Sequence, residues 1–95
     1  MNFDLNEQKA EIFKALSNPV RLDIIEVLLD GEKCVCEIIK ILNKYEQPHI
    51  SKSLAKLKKV GIIEDRKEGL KVFYKLKCTC IKDFMNCLNH IIKNN

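Results

Sequence analysis

The sequence predicts a mainly α fold with one β-hairpin, in the order helix, helix, helix, helix, hairpin, helix. Three observations predict it. Apolar residues recur at helical spacing in five segments. Asn, Pro and Gly punctuate the chain between those segments. An apolar–polar stretch, Ile62 to Arg66, is followed by Lys67-Glu68-Gly69 and a second stretch, Lys71 to Leu76. At 95 residues the chain, residues 1–95, is expected to form one domain with a thin core, which dimerisation would reinforce.

Leu5, Ile12, Phe13 and Leu16 fall at near-helical spacing and predict a first helix over 6–16. Asn18 and Pro19 suit the cap and first position of a second helix. That helix carries Val20, Leu22, Ile24, Ile25, Val27, Leu28 and Leu29. It is apolar on most sides, so it is expected at the centre of the core, and Asp30-Gly31 stops it. The third helix is predicted over 36–44, with Val35, Ile38, Ile39 and Leu42 inward. Gln47-Pro48 opens the fourth, whose stripe is Ile50, Leu54, Leu57 and Val60, and Gly61 ends it. Residues 62–66 and 71–76 pair as a hairpin, with Gly in a turn that needs positive φ. The last helix begins near Cys80 or Ile81.

Helices three and four, joined by a short polar turn, form a helix-turn-helix, and the hairpin after them forms a wing. The last helix presents Ile81, Phe84, Met85, Leu88, Ile91 and Ile92, more apolar face than one small domain needs. With Ile12 and Phe13 of helix one it is expected to seal a homodimer.

The charge distribution points to a polyanion. The net charge is +4, but residues 44–77 hold ten Lys/Arg against four acids, so this middle segment carries the whole surplus. With Ile50 set inward at 100° per residue, His49, Lys52, Lys56 and Lys59 face outward and Ser51 lies on the flank. Gln47 lies in the first turn, where recognition helices meet base edges. Arg66, Lys67 and Lys71 of the wing are placed to grip phosphates. The expected partner is double-stranded DNA.

No apolar run approaches the roughly 20 residues that span a bilayer, and Met1-Asn2-Phe3-Asp4 lacks the basic, then apolar, start of a signal peptide. A cytoplasmic protein without a membrane partner is expected. There are five cysteines, an odd number, so a disulfide framework is not expected. Four of them form two C-x-C pairs, Cys34/Cys36 and Cys78/Cys80.

Four segments together resemble the ArsR/SmtB family of arsenic- and metal-responsive repressors, over nearly the whole chain. Ala15-Leu16-Ser17-Asn18-Pro19-Val20-Arg21-Leu22 is similar to the family's A-L-x-x-P-x-R-L entry to helix two. Glu32-Lys33-Cys34-Val35-Cys36-Glu37-Ile38 is similar to its E-L-C-V-C-D-L metal box. Gln47-Pro48-His49-Ile50-Ser51-Lys52-Ser53-Leu54 resembles its recognition helix, and Gly61-Ile62-Ile63, Asp65 to Gly69 and Tyr74-Lys75-Leu76 resemble its wing. The resemblance implies a homodimer that binds operator DNA when metal-free and releases it when metal binds, with Cys34 and Cys36 as ligands. The chain departs from the arsenic-type members at Ile39, where they carry a third cysteine. The family's zinc site on the last helix is not expected either, because only Asp83 and His90 are present.

Thiolates select soft effectors: As(III) foremost, then Cd(II), Pb(II) and Zn(II). No metal is expected to be needed for folding. As(III) prefers three sulfurs and Cd(II) four ligands, so Cys78 and Cys80 are expected to complete the set. On a regular helix residues i and i+2 point about 200° apart, so Cys34 and Cys36 are expected to clasp one ion only if the start of helix three is extended or unwound. A short strand near 32–34 should pair with the returning wing strand and bring the two cysteine pairs within roughly 10 Å. Cys87, two turns beyond Cys80, is read as structural. Two other readings stay open: a thiol-redox or reactive-sulfur sensor of the same fold, and a winged-helix protein adaptor that does not bind DNA. An enzyme is not expected, because no His, Asp or Gly-rich motif accompanies the thiols.

Overall fold

The computed structural model describes residues 3–94. The elements follow the expected order: α1 (Asp4–Leu16), α2 (Pro19–Leu28), β1 (Lys33–Cys34), α3 (Val35–Ile41), α4 (Gln47–Lys59), β2 (Ile63–Glu68), β3 (Lys71–Leu76) and α5 (Cys80–Lys93). The strands form one antiparallel sheet in the order β1-β3-β2. No helix among the described residues is long and apolar enough to cross a membrane.

Asn18 starts α2 as its residue type suggests. Its Oδ1 accepts the Val20 N–H at 2.9 Å and the Arg21 N–H at 3.3 Å, satisfying donors that have no partner inside the helix. Arg21 Nε donates to the Ala15 carbonyl, tying α2 to the end of α1. Val20, Ile24, Ile25 and Leu28 of α2 are buried. They share one core with Ile38, Leu42, Ile50, Leu54, Leu57, Ile62, Ile63 and Met85. Full burial of each such side chain contributes about 1.5–3 kcal/mol, so α2 anchors both helices of the helix-turn-helix.

The wing forms around Gly69, whose φ of 62° is the left-handed conformation glycine adopts without steric cost. Ladder pairing runs from Ile63–Leu76 to Glu68–Lys71, leaving a two-residue turn. The first wing strand therefore reaches Glu68 rather than ending at residue 66. The third helix is shorter than expected, Val35–Ile41 instead of 36–44. Leu42 leaves the helix at φ −98°, ψ 44°. Its carbonyl then accepts the Tyr45 N–H in a tight turn.

The apolar residues expected on the dimer seam divide into two groups. Met85 is buried in its own chain's core, and Ile81, Phe84 and Leu88 pack against that core. Met85 is thus a core residue, contrary to its expected place on the seam. Phe84 meets Phe13 edge to face at 5.9 Å, joining α5 to α1. Ile12, Phe13, Ile91 and Ile92 remain 38%, 57%, 58% and 70% exposed on α1 and α5.

Candidate nucleic-acid interface and thiol sites

Helix α4 presents two chemically distinct sides. Ile50, Ser53, Leu54 and Leu57 are buried. Gln47, His49, Ser51, Lys52 and Lys59 are exposed, and Lys56 is half-buried. The outward assignment from helical stepping thus matches the observed exposure. Lys67 and Lys71 are exposed on the wing. Among the described residues, no carboxylate lies within ion-pair distance of Lys52, Lys56, Lys67 or Lys71. Their charge is available to an external anion.

Arg66 differs from the expected phosphate contact. Its Nη2 and Nε bind Glu32 Oε1 and Oε2 at 2.7 and 3.0 Å, and its Nη1 binds Glu68 Oε2 at 3.0 Å. The guanidinium stacks 4.5 Å from the Phe73 ring centroid. A planar fork suits both the bidentate carboxylate and the ring. The Arg66 hydrogen bond holds the Glu32 carboxyl below its usual range. Arg66 thus ties the residue before β1 to the wing, its charge paired within the chain.

Cys34 and Cys36 converge because the start of α3 is extended, the condition the helical argument set. Cys34 has φ −66° and ψ 147°, an extended conformation, and is the cap of α3 rather than a helical residue. The 200° separation therefore does not apply. The Cys36 thiol donates to Cys34 Sγ at 2.8 Å with the helix intact. A capping box frames the pair: the Cys34 sulfur faces the Glu37 N–H, and Glu37 Oε1 accepts the Cys34 N–H at 2.9 Å. The hydrogen bond from Cys36, then the nearby backbone N–H groups and Lys71, lower the Cys34 pKa. The same hydrogen bond, with burial, raises Cys36. The proton is shared unequally, with Cys34 the readier thiolate. Cys34 is buried and Cys36 exposed, so the pair opens to solvent on one side.

The two cysteine pairs do not meet within the chain. Cys34 pairs with Phe73 and Lys33 with Tyr74. From Phe73 the strand runs three residues, about 10 Å, to Leu76. It then continues beside β2, where Lys77 N–H donates to the Ile62 carbonyl at 2.9 Å. β2 is the strand on the far side from β1, so Cys78 lies beyond the expected 10 Å. The offset is five residues instead of one or two. Lys71, at the opposite end of β3, is the lysine whose charge acts on Cys34 and Cys36. Among the described residues no three His, Cys, Asp or Glu side chains form a metal-holding group. Cys78 and Cys80 are instead joined to each other in a disulfide, Cα–Cα 5.3 Å. A bridge spanning one residue was not expected from the sequence.

A polar cluster lies at the turn before α4, which helical periodicity does not reveal. Tyr45, in the turn before α4, donates its hydroxyl to Asp23 Oδ2 of α2 at 2.5 Å. Lys44 Nζ lies 3.5 Å from the same oxygen and 5.1 Å from the Tyr45 ring. The ring meets His49 of α4 edge to face at 6.0 Å. An aromatic residue with a polar tip in the turn, opposite an acid on the central helix, was the available signal.

Residues 18–65 match the family model described as bacterial regulatory protein, arsR family. An uncharacterised HTH-type transcriptional regulator of Methanocaldococcus jannaschii is 43% identical over 86 residues, covering 90% of this chain and 96% of that protein. The arsenical resistance operon repressor of Escherichia coli is 42% identical over 67 residues, 70% of this chain. The chain spans 56% of that repressor's length. The solution structure of a homodimeric winged helix-turn-helix DNA-binding domain from Mycobacterium bovis superimposes with TM-score 0.83 at 27% identity. It covers 97% of this chain and 84% of that domain.

Proposed function

The chain belongs to the arsR family of bacterial regulatory proteins and is a winged-helix transcriptional repressor rather than an enzyme, and we propose that it is a homodimer released from operator DNA when a soft ion binds Cys34 and Cys36. One domain over residues 1–95 carries both functions. The observation that carries the sensing half is the 2.8 Å approach of the two sulfurs on the short strand paired with the wing. Soft thiolates suit As(III) first and Cd(II), Pb(II) or Zn(II) next. The arsenic repressor among the relatives supports that order.

The donors fit such an ion in part. Two sulfurs converge, and the hydrogen bond from Cys36 lowers the pKa of Cys34, while Ile39 contributes no donor. Cys78 and Cys80 are too distant to complete the set within one chain. Water or a small thiol supplies what remains. Cys34 and Cys36 would hold a bound ion, which would supply a positive charge there. The chain's own part is to lose the Cys36 proton to solvent, part the touching thiols and move β1. Because β1 pairs with β3, that movement reaches the wing directly, with no unwinding of α3.

On the DNA side, Gln47, His49 and Ser51 read bases, and Lys52, Lys56, Lys67 and Lys71 hold phosphates. Arg66 and Glu32 set the wing's position. Ile12, Phe13, Ile91 and Ile92, backed by Ile81, Phe84 and Leu88, form the dimer seam. The homodimeric Mycobacterium bovis domain supports this assembly. The experiment is operator binding by fluorescence anisotropy under arsenite titration. Release by stoichiometric arsenite in the wild type and none in Cys34→Ser supports the proposal; equal release in both refutes it.

A further inference from the structure

We propose that Cys78 and Cys80 are a second thiol site with separate chemistry: a dithiol–disulfide couple that exchanges electrons with low-molecular-weight thiols and disulfides. The couple sets the rigidity of the joint between wing and α5. Its chemistry stands on the structure alone; its effect on DNA rests on the operator-binding role proposed above.

Three observations carry the inference. The sulfurs of Cys78 and Cys80 are bonded to each other, and they lie away from Cys34 and Cys36. Both residues are exposed, so small thiols reach them. Their place in the fold gives the bond a consequence. Only residues 77–79 separate β3 from α5. On the sheet side, Lys77 N–H is held by the Ile62 carbonyl. On the helix side, the Cys78 and Thr79 carbonyls accept the Ile81 and Lys82 N–H groups at 3.3 and 3.2 Å. The disulfide therefore closes the link where the wing passes into the helix. Thr79, enclosed by the bridge, lines a cavity of about 250 Å³ with Leu28, Leu29 and Leu76. Fixing its backbone fixes how the helix start sits over the end of α2.

The exchange balances with one small disulfide as oxidant. One thiolate of the reduced pair attacks a sulfur of the small disulfide, forming a mixed disulfide and releasing one small thiolate. The second protein thiolate attacks the mixed disulfide, closing Cys78–Cys80 and releasing the other. The protein pair loses two electrons, the small disulfide gains two, and the two thiol protons pass to the two released thiolates. In the oxidised form the bridge adds a covalent tie to the α5 start; in the reduced form only the backbone hydrogen bonds on either side of Thr79 hold it.

The test uses the full chain carrying Cys34→Ser, Cys36→Ser and Cys87→Ser, equilibrated in glutathione buffers of set thiol-to-disulfide ratio. Acid quenching, alkylation and intact mass count the free thiols. The expected result is a two-electron transition between zero and two alkylated thiols with no accumulating glutathione adduct. Slower amide exchange at residues 79–82 in the oxidised form and at least a fivefold change in operator affinity should accompany it. Adding Cys78→Ser should abolish all three. A pair that stays reduced in glutathione disulfide, or that accumulates single adducts, overturns the proposal. So does a complete transition that leaves amide exchange unchanged. Mass and exchange are read without DNA, so loss of operator binding in both redox forms would count against the operator role and leave the couple standing.

Discussion

Cys34 and Arg66 sit on opposite sides of the same residue: across the sheet, both pair with Phe73. The thiol pair and the wing's arginine are thus one strand apart. The Glu32–Arg66 fork bridges that strand over the Phe73 ring. On the function proposed above, displacement of β1 by an ion at Cys34 would act on the wing through two connections, the backbone ladder and this fork.

Glu32→Gln should weaken the fork while sparing the ladder. The pair is half-exposed, so thermal stability should change little. Coupling should change more: the ratio of operator affinities without and with arsenite should shrink severalfold relative to wild type. Anisotropy titrations on both proteins read this ratio directly. An unchanged ratio would show that the ladder alone carries the coupling.

Salt dependence separates the free lysines from Arg66. Lys52→Ala or Lys71→Ala should each reduce the slope of log affinity against log salt by roughly one. Arg66→Ala should leave the slope close to wild type, because Glu32 and Glu68 already neutralise it. Gln47→Ala should instead narrow the affinity gap between operator and scrambled DNA. A loss of one unit of slope in Arg66→Ala would return that residue to the phosphate contacts.

Phe13→Glu with Ile91→Glu should produce a monomer at micromolar concentration by sedimentation. Both side chains are more than half exposed in the single chain, so helical content should stay near wild type. A dimer that survives both charges would place the seam elsewhere.

The Tyr45–Asp23 bond should appear in alkaline titration. The hydrogen bond to Asp23 raises Tyr45 above its ordinary value of about 10. A group raised on folding contributes stability that is complete below its unfolded pKa and is lost as pH rises through the folded one. Wild-type stability should therefore fall above about pH 10, and Tyr45→Phe should flatten that fall. Denaturant midpoints measured across the range test this. Burial raises Tyr74 as well, but that residue is common to both proteins.

Most of the fold was legible because each element carries its own local signal. Asn18-Pro19 caps α2, the Ile50 to Leu57 stripe turns α4, and Gly69 turns the wing. The outward face of α4 followed from the same periodicity. What escaped depended on facts that periodicity does not hold. Cys34 lies one residue outside α3, and whether its backbone there is extended or helical is what periodicity left open. The distance to Cys78 turned on strand register, which a two-residue strand leaves open in sequence. Arg66 looked like any basic wing residue until the register brought Glu32 beside it. Met85 shares a stripe with Leu88 but lies on the side that meets the core.

The most direct measurement is arsenite titration of the reduced, operator-bound protein, following thiolate charge-transfer absorbance and DNA release together. The predicted result is one equivalent per protomer, with absorbance and release coincident. Both should be lost in Cys34→Ser and Cys36→Ser, and both kept in Cys78→Ser. Full release in Cys34→Ser, or release that requires Cys78, would contradict a sensing site built on Cys34 and Cys36.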